Sequence, residues 1–208
     1  MGNNSFANTP KPDLLKILMV PEAVQPRISD LFLEQLRHGL LTDSIHPHKV
    51  IDEIRNLEFG RKSATKEANT FKHHPLKGYW KKHFFQTTWM IRNIMNEWKM
   101  ENPRSEKFKS LYFETAKKTT DPHAFSSQIS HKFVMDAFEK RVQKSAMDGE
   151  WIVFDKYKDQ NYYLTIAFHS EKPEVIYDRI LRCRNQFPFL FSDSNQLGTL
   201  SEDCPTAD

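Results

Sequence analysis

The chain has 208 residues, 38% hydrophobic and 27% charged, and a formal net charge of +3, which is enough to bury a core without disulfide or metal staples. Two cysteines exclude a disulfide framework and a cysteine-based zinc site, and the six glycines form neither G-x-G-x-x-G nor G-x-x-x-x-G-K-[ST]. No apolar run has bilayer length, and the start lacks a charged region followed by an apolar one, so the expected protein is cytoplasmic with no membrane partner.

Residues 1–11 are polar and proline-containing and read as a disordered N-terminus; 12–190 read as one domain and 191–208 as an acidic disordered tail. Ile28, Leu31, Phe32, Leu36 and Leu40 recur at helical spacing behind a Ser29 or Asp30 cap. Pro47 suits the first position of a second helix that carries Val50, Ile51, Ile54 and Leu57. Residues 60–70 are basic and polar and read as an exposed loop. A helix is expected from about Tyr79 to Lys99, with Phe84, Ile91, Met95 and Trp98 on one side, and a short one over 106–118. Another starts near Ser126 or Ser127 and stops at Asp148-Gly149. After the hairpin considered next, a last helix begins near Pro173 and buries Val175, Ile176, Ile180 and Cys183. The expected class is α+β: a mainly helical single domain with one late antiparallel β-hairpin followed by a C-terminal helix.

The hairpin joins Trp151-Ile-Val-Phe to Tyr162-Tyr-Leu-Thr-Ile-Ala-Phe. With Asp159-Gln160 as its turn, Tyr157 faces Tyr162. One face then carries Trp151, Val153, Tyr157, Tyr162, Leu164, Ile166 and Phe168. The other sets Glu150 opposite His169, Lys156 opposite Tyr163 and Phe154 opposite Thr165. A carboxylate beside an imidazole fixes its tautomer, as acid–base catalysis requires, although such a pair at a strand end is also a common surface contact.

Charge concentrates elsewhere. From Gly60 to Phe85 seven Lys or Arg face one acid, Glu67, and removing the four acids beyond Leu190 leaves the body at +7. This favours a polyanionic partner, RNA or DNA first and an acidic protein second. The densest window, Lys72 to Phe85, holds four lysines, three histidines and four aromatics. If helical, Lys77, Lys81 and Lys82 lie within about a turn of each other and could follow a phosphate backbone, with Tyr79 and Trp80 as stacking surfaces. The plainer alternatives are a solvated lysine face and aromatic core anchors. His74 and His83 are nine residues apart with Pro75 between them, which does not suit helical metal ligation. The candidate catalytic residues are therefore His169, His83, His74, Glu150 and Tyr163. The candidate nucleic-acid contacts are Lys77, Lys81, Lys82, Tyr79 and Trp80, and no metal or cofactor is expected.

The strings His74-Pro75-Leu76-Lys77-Gly78-Tyr79-Trp80-x-x-His83-Phe84 and Gly149-Glu150-Trp151-Ile152-Val153, then Asn161-Tyr162-Tyr163-Leu164 and His169, resemble a group of uncharacterised bacterial proteins over roughly residues 70–190. These share H-P-P-L-K-G-L-W-like and G-E-W-I…N-Y-Y-L…H segments; His74 stands here for their first Pro and Tyr79 for their Leu. That resemblance implies no established activity. In helix-then-sheet order, basic charge and His-bearing segments the chain is also loosely similar to toxin ribonucleases of the barnase, colicin and RelE-like kind. This second resemblance implies metal-free RNA cleavage by His, Lys, Tyr and Thr. The alternative expectation is a non-catalytic regulator or inhibitor, carried on a mobile element, that binds nucleic acid or protein.

Overall fold

The computed structural model describes residues 9–102 and 106–192, so the expectations for the first eight residues and for 193–208 lie outside it. The N-terminal third is helical: α1 (Lys11–Ile17), α2 (Asp30–Thr42) and α3 (Pro47–Glu58). Ser29 caps α2, accepting the Phe32 N–H on its hydroxyl at 2.9 Å. Gly39 is required where α2 meets the next turn, because a Cβ there would stand 2.5 Å from the Ile45 Cβ.

The chain then enters a four-stranded antiparallel sheet in the order β1 (Asn69–Thr70), β2 (Trp80–Phe84), β3 (Glu150–Tyr157) and β4 (Gln160–Ala167). The long β2–β3 connection carries α4 (Met90–Trp98), α5 (Lys107–Ala116), α6 (Pro122–His131) and α7 (Ala137–Gln143). A π-helical turn over Lys132–Asp136 joins α6 to α7. After β4 comes α8 (Pro173–Arg182). The molecule is α+β and mainly helical, but its sheet is larger than the one expected hairpin.

Two apolar layers sandwich this sheet. One face packs Phe84, Ile152, Phe154, Tyr163 and Ile166 against α1–α3. The other packs Val153, Leu164 and Ala167 against Ile176, Ile180, Cys183 and Phe187. The β2–β3 helices have a smaller cluster around Ile94, Trp98, Leu111 and Ala137. Because both faces are covered, β3 reads as a nearly continuous apolar run. The open edge of β4 is closed by side chains. Ser29 Oγ donates to Leu164 O at 2.6 Å, and Gln35 pairs with Ile166 O at 2.9 Å and Ile166 N at 2.8 Å. No helix among the described residues is long and apolar enough to cross a membrane.

Several expectations are corrected. Residues 80–84 form a strand, not the start of a helix. β2 is hydrogen-bonded on both sides, by β1 and β3, and this tertiary pairing outweighs the helical spacing of Phe84, Ile91, Met95 and Trp98. The hairpin turn is Lys158-Asp159, both left-handed at φ 48° and 60°, so Tyr157 pairs with Gln160 and Asp155 with Tyr162. A bulge then leaves Leu164 unpaired: Phe154 faces Tyr163 while Val153 faces Thr165. The extra residue moves Ile166 onto the face opposite the one expected. Asp121 rather than Ser126 starts the helix of that region, accepting His123 N at 3.1 Å. That helix ends at Gln143, before Ser145 at φ 50°, so Asp148-Gly149 lies beyond it. Lys11 belongs to α1 and Phe191 is buried. Val175 is exposed on α8, while Ile176, Ile180 and Cys183 are buried.

Candidate active site

The β2–β3 pairing sets His83 opposite Trp151 and Phe84 opposite Glu150. Gly149, just before β3, is forced by close approach: a Cβ there would lie 1.9 Å from the Phe84 carbonyl oxygen. The Gly149 carbonyl in turn receives His83 Nδ1 at 2.9 Å. Gly149 also brings its N–H to within 3.3 Å of the same nitrogen, a contact that the Nε2-protonated ring would accept; the shorter contact, to the carbonyl, favours the proton on Nδ1 and a lone pair on Nε2. His83 is nearly buried, and its pKa falls to about 4 because burial disfavours the imidazolium, only partly opposed by the Gly149 carbonyl.

His169 arrives from the end of β4. Both its backbone N–H and its Nδ1 reach Glu150 Oε2, at 2.8 and 3.1 Å. The other oxygen of Glu150 accepts the Trp89 indole N–H at 3.0 Å. Burial pushes the Glu150 carboxyl upward, but the hydrogen bonds from His169 and Trp89 outweigh it and hold the group below its ordinary range. The His169 ring lies 3.9 Å from the Trp151 ring, 4.5 Å from that of Trp89 and 5.6 Å from that of His83, centroid to centroid.

Lys81 shares this face of β2. Its Nζ stands 4.6 Å from the centroids of both Phe71 and Trp151. Burial, followed by the charges of Lys66 and Lys72, lowers its pKa. Two imidazoles, an ammonium and a carboxylate thus line one aromatic-walled patch. With Nδ1 engaged on each imidazole, both Nε2 atoms are left for proton transfer, and the ammonium stands against the same Trp151 ring that the His169 ring touches.

Of the candidates named from sequence, His83, His169, Glu150 and Lys81 meet here. The expected register placed Glu150 and His169 opposite each other. The bulge shifts the strands so that Trp151 faces Ala167, and His169 makes the contact from beyond the strand end. His74 does not join them. It lies in the exposed β1–β2 loop, past the Trp80 end of the strand, and about 10 Å of strand separates Trp80 from His83. Lys77 occupies the same loop. Lys82 points through the sheet, because alternate strand residues face opposite ways. It is 3% exposed, and its Nζ meets Lys66 O at 2.7 Å and Glu53 Oε2 at 3.5 Å. Tyr79 is a core residue against Tyr177, and Trp80 stacks on Phe154 on the far face. Tyr163 is fully buried on that far face, where it donates to Glu58 Oε1 at 2.6 Å within a cluster containing Arg27 and Asn161.

Sequence reading missed Trp89, Phe71 and Gly149 as parts of this patch and took Trp151 for core. The dipeptide Gly149-Glu150 beside an aromatic was visible, but its role depends on β2 being a strand. Among the described residues no group of three His, Cys, Asp or Glu side chains could hold a metal ion. Compared with known proteins, the chain matches no family profile, no curated protein and no solved structure.

Proposed function

We propose that the chain acts on nucleic acid, and that it cleaves RNA by acid–base chemistry supplied by its own side chains. The observation that carries this reading is the approach of His83 and His169, 5.6 Å between ring centroids, on the patch that holds Lys81. His83, neutral and with its lone pair on Nε2, removes the proton of a ribose 2′-hydroxyl. The 2′-oxygen attacks phosphorus, and the bond to the 5′-oxygen breaks. His169 gives that oxygen a proton from Nε2, leaving a 2′,3′-cyclic phosphate and a 5′-hydroxyl. Lys81 balances the charge that builds on the phosphoryl oxygens. Glu150 is a positioning residue that fixes the His169 ring. Trp151 and Phe71 offer aromatic surface beside the phosphate path.

A second reading is favoured by the burial of His83, which is 5% exposed. In it the imidazoles are packing partners, and Lys81, Lys66 and Lys72 bind a polyanion without turnover. That protein would be a binding module, regulator or inhibitor. Incubating the protein with labelled RNA and DNA pools separates the readings. Cleavage of RNA but not DNA supports the first; salt-sensitive binding of both with no cleavage supports the second.

A further inference from the structure

A cleft of about 490 Å³ opens at Asp148, one residue before the glycine whose carbonyl receives His83, and is lined in part by Lys66, Asn96, Lys99, Glu101, Arg141 and Asp148. The mechanism above does not use it. Its inner wall is held by a dense polar network. Asp148 accepts from Arg141 Nη2 at 2.8 Å, from Asn96 Nδ2 at 3.0 Å and from Lys66 Nζ. Fully buried Asn93 accepts from Arg141 Nε at 3.0 Å and Asp148 N at 2.8 Å, and donates to the Trp89 and Asp148 carbonyls, both at 2.9 Å. These bonds hold Asn93, Arg141 and Asp148 in place, while among the described residues they use only the Nδ2 of Asn96 and one N–H of the Lys66 ammonium, leaving Asn96 Oδ1 and further Lys66 donors toward the cleft.

The outer wall carries two cations, Lys66 and Lys99, and one acid, Glu101, with Lys66 also paired to Asp148. Lys66 is half exposed, Lys99 is exposed, and among the described residues Lys99 Nζ is in no ion pair. The cleft is joined to the imidazole patch through the chain at Asp148. Asp148 precedes Gly149, which holds His83, and Glu150, which holds His169. Trp89, bonded to Glu150, caps α4; Asn96 lies about 10 Å further along that helix.

We propose that this cleft seats the nucleotide next to the scissile phosphate, with Lys66 and Lys99 on its phosphate and Asn96 toward its base, so that the protein selects the base at that position. Its volume lies within the range of small-molecule sites. Unpaired bases present their edges to amide side chains, which is how single-stranded RNA is commonly read. The inference rests on the nucleic-acid reading for its neighbour but not on turnover.

The test is titration of the full chain with the four nucleoside 3′-monophosphates, followed by backbone amide NMR, with inorganic phosphate as the reference. The expected result is shifts at Asn96, Lys99 and Ala146 beyond those caused by phosphate, with one nucleotide bound about threefold or more tighter than the others. Lys99→Asn keeps a residue type suited to the left-handed helix end and should weaken all four by about threefold. Asn96→Ala should level the preference. Shifts no larger than with phosphate, unchanged affinities in Lys99→Asn, or an unchanged preference in Asn96→Ala would overturn the proposal. Absence of RNA cleavage overturns the catalytic reading instead, and this titration still decides the cleft.

Discussion

His169 gives both its backbone N–H and its Nδ1–H to a single oxygen of Glu150, so one carboxylate sets both the path of the chain leaving β4 and the orientation of the ring. Glu150→Gln keeps the shape but weakens the acceptor. RNA cleavage should fall by about 10- to 100-fold, the usual cost of losing an orienting partner, with KM little changed. A merely structural role would show only as lost stability. Here kcat should fall in Glu150→Gln protein that unfolds at the wild-type temperature, and Glu150→Asp should restore part of it.

The pH dependence of stability should contain two opposed contributions. Burial lowers His83 from 6.5 to about 4. Its stabilising share is therefore complete above pH 6.5 and is lost as pH falls toward 4. Burial raises Asp155 from 3.8 to about 6, despite the Lys156 N–H. Its share is complete below 3.8 and is lost as pH rises through 6. Each is worth about 3 kcal/mol over its full range. The lowered carboxyls of Glu58, Glu97, Asp148 and Glu150 lose their share at lower pH, so the two largely cancel in the window between about pH 5 and 6. Asp155→Asn should leave stability falling with acid across that window, and His83→Gln should leave it rising. Urea unfolding at several pH values measures both slopes.

Lys82 and Glu53 form a buried pair, 4% and 10% exposed at their side chains. Glu53→Gln strands a buried ammonium and should cost roughly 3 kcal/mol, whereas Lys82→Met, which removes the charge and keeps the stem, should cost less. RNA affinity should be unchanged in Lys82→Met and reduced in Lys81→Ala. Thermal unfolding and salt-titrated binding check the two halves. Equal losses of binding would place Lys82 at the nucleic-acid surface after all.

The α+β class was legible because α2, α3 and α8 announce themselves locally, through Ser29 as a cap, Pro47 and Pro173 at first positions, and apolar residues at helical spacing. The strand at 80–84 was not. Its five residues alternate Trp80, Lys82 and Phe84 with Lys81 and His83, and the lysines hide an apolar rhythm that appears only once Lys82 is seen buried on Glu53. The side of the sheet each basic residue faces, and so the separation of Lys81 from Lys82, followed from that one misreading. The Glu150–His169 contact was legible because both residues bound the same hairpin. The bulge at Leu164 was not, since nothing in Tyr-Tyr-Leu-Thr marks an extra residue; it is tied to the Ser29 and Gln35 bonds from α2.

Tyr163 belongs to the Arg27–Glu58 cluster, where burial pushes the Glu58 carboxyl up but the bonds from Arg27, Tyr163 and Asn161 hold it below its ordinary range. Tyr163→Phe removes one charge-assisted bond and should destabilise by about 1.5–3 kcal/mol, with RNA cleavage by the folded protein unchanged. Calorimetry and a cleavage assay well below the midpoint test this. A catalytic loss without a stability loss would return Tyr163 to the site.

The central claim is proton transfer by two facing imidazoles, and the most direct measurement is of product. Purified wild type, His83→Ala and His169→Ala should be incubated with a single-stranded RNA and its all-deoxy counterpart, with fragment ends identified by mass. Wild type should yield RNA fragments ending in a 2′,3′-cyclic phosphate and none from DNA, and each variant that remains folded should lose at least about 100-fold. Cleavage of both substrates, linear phosphate ends formed directly, or equal activity in either variant would contradict it.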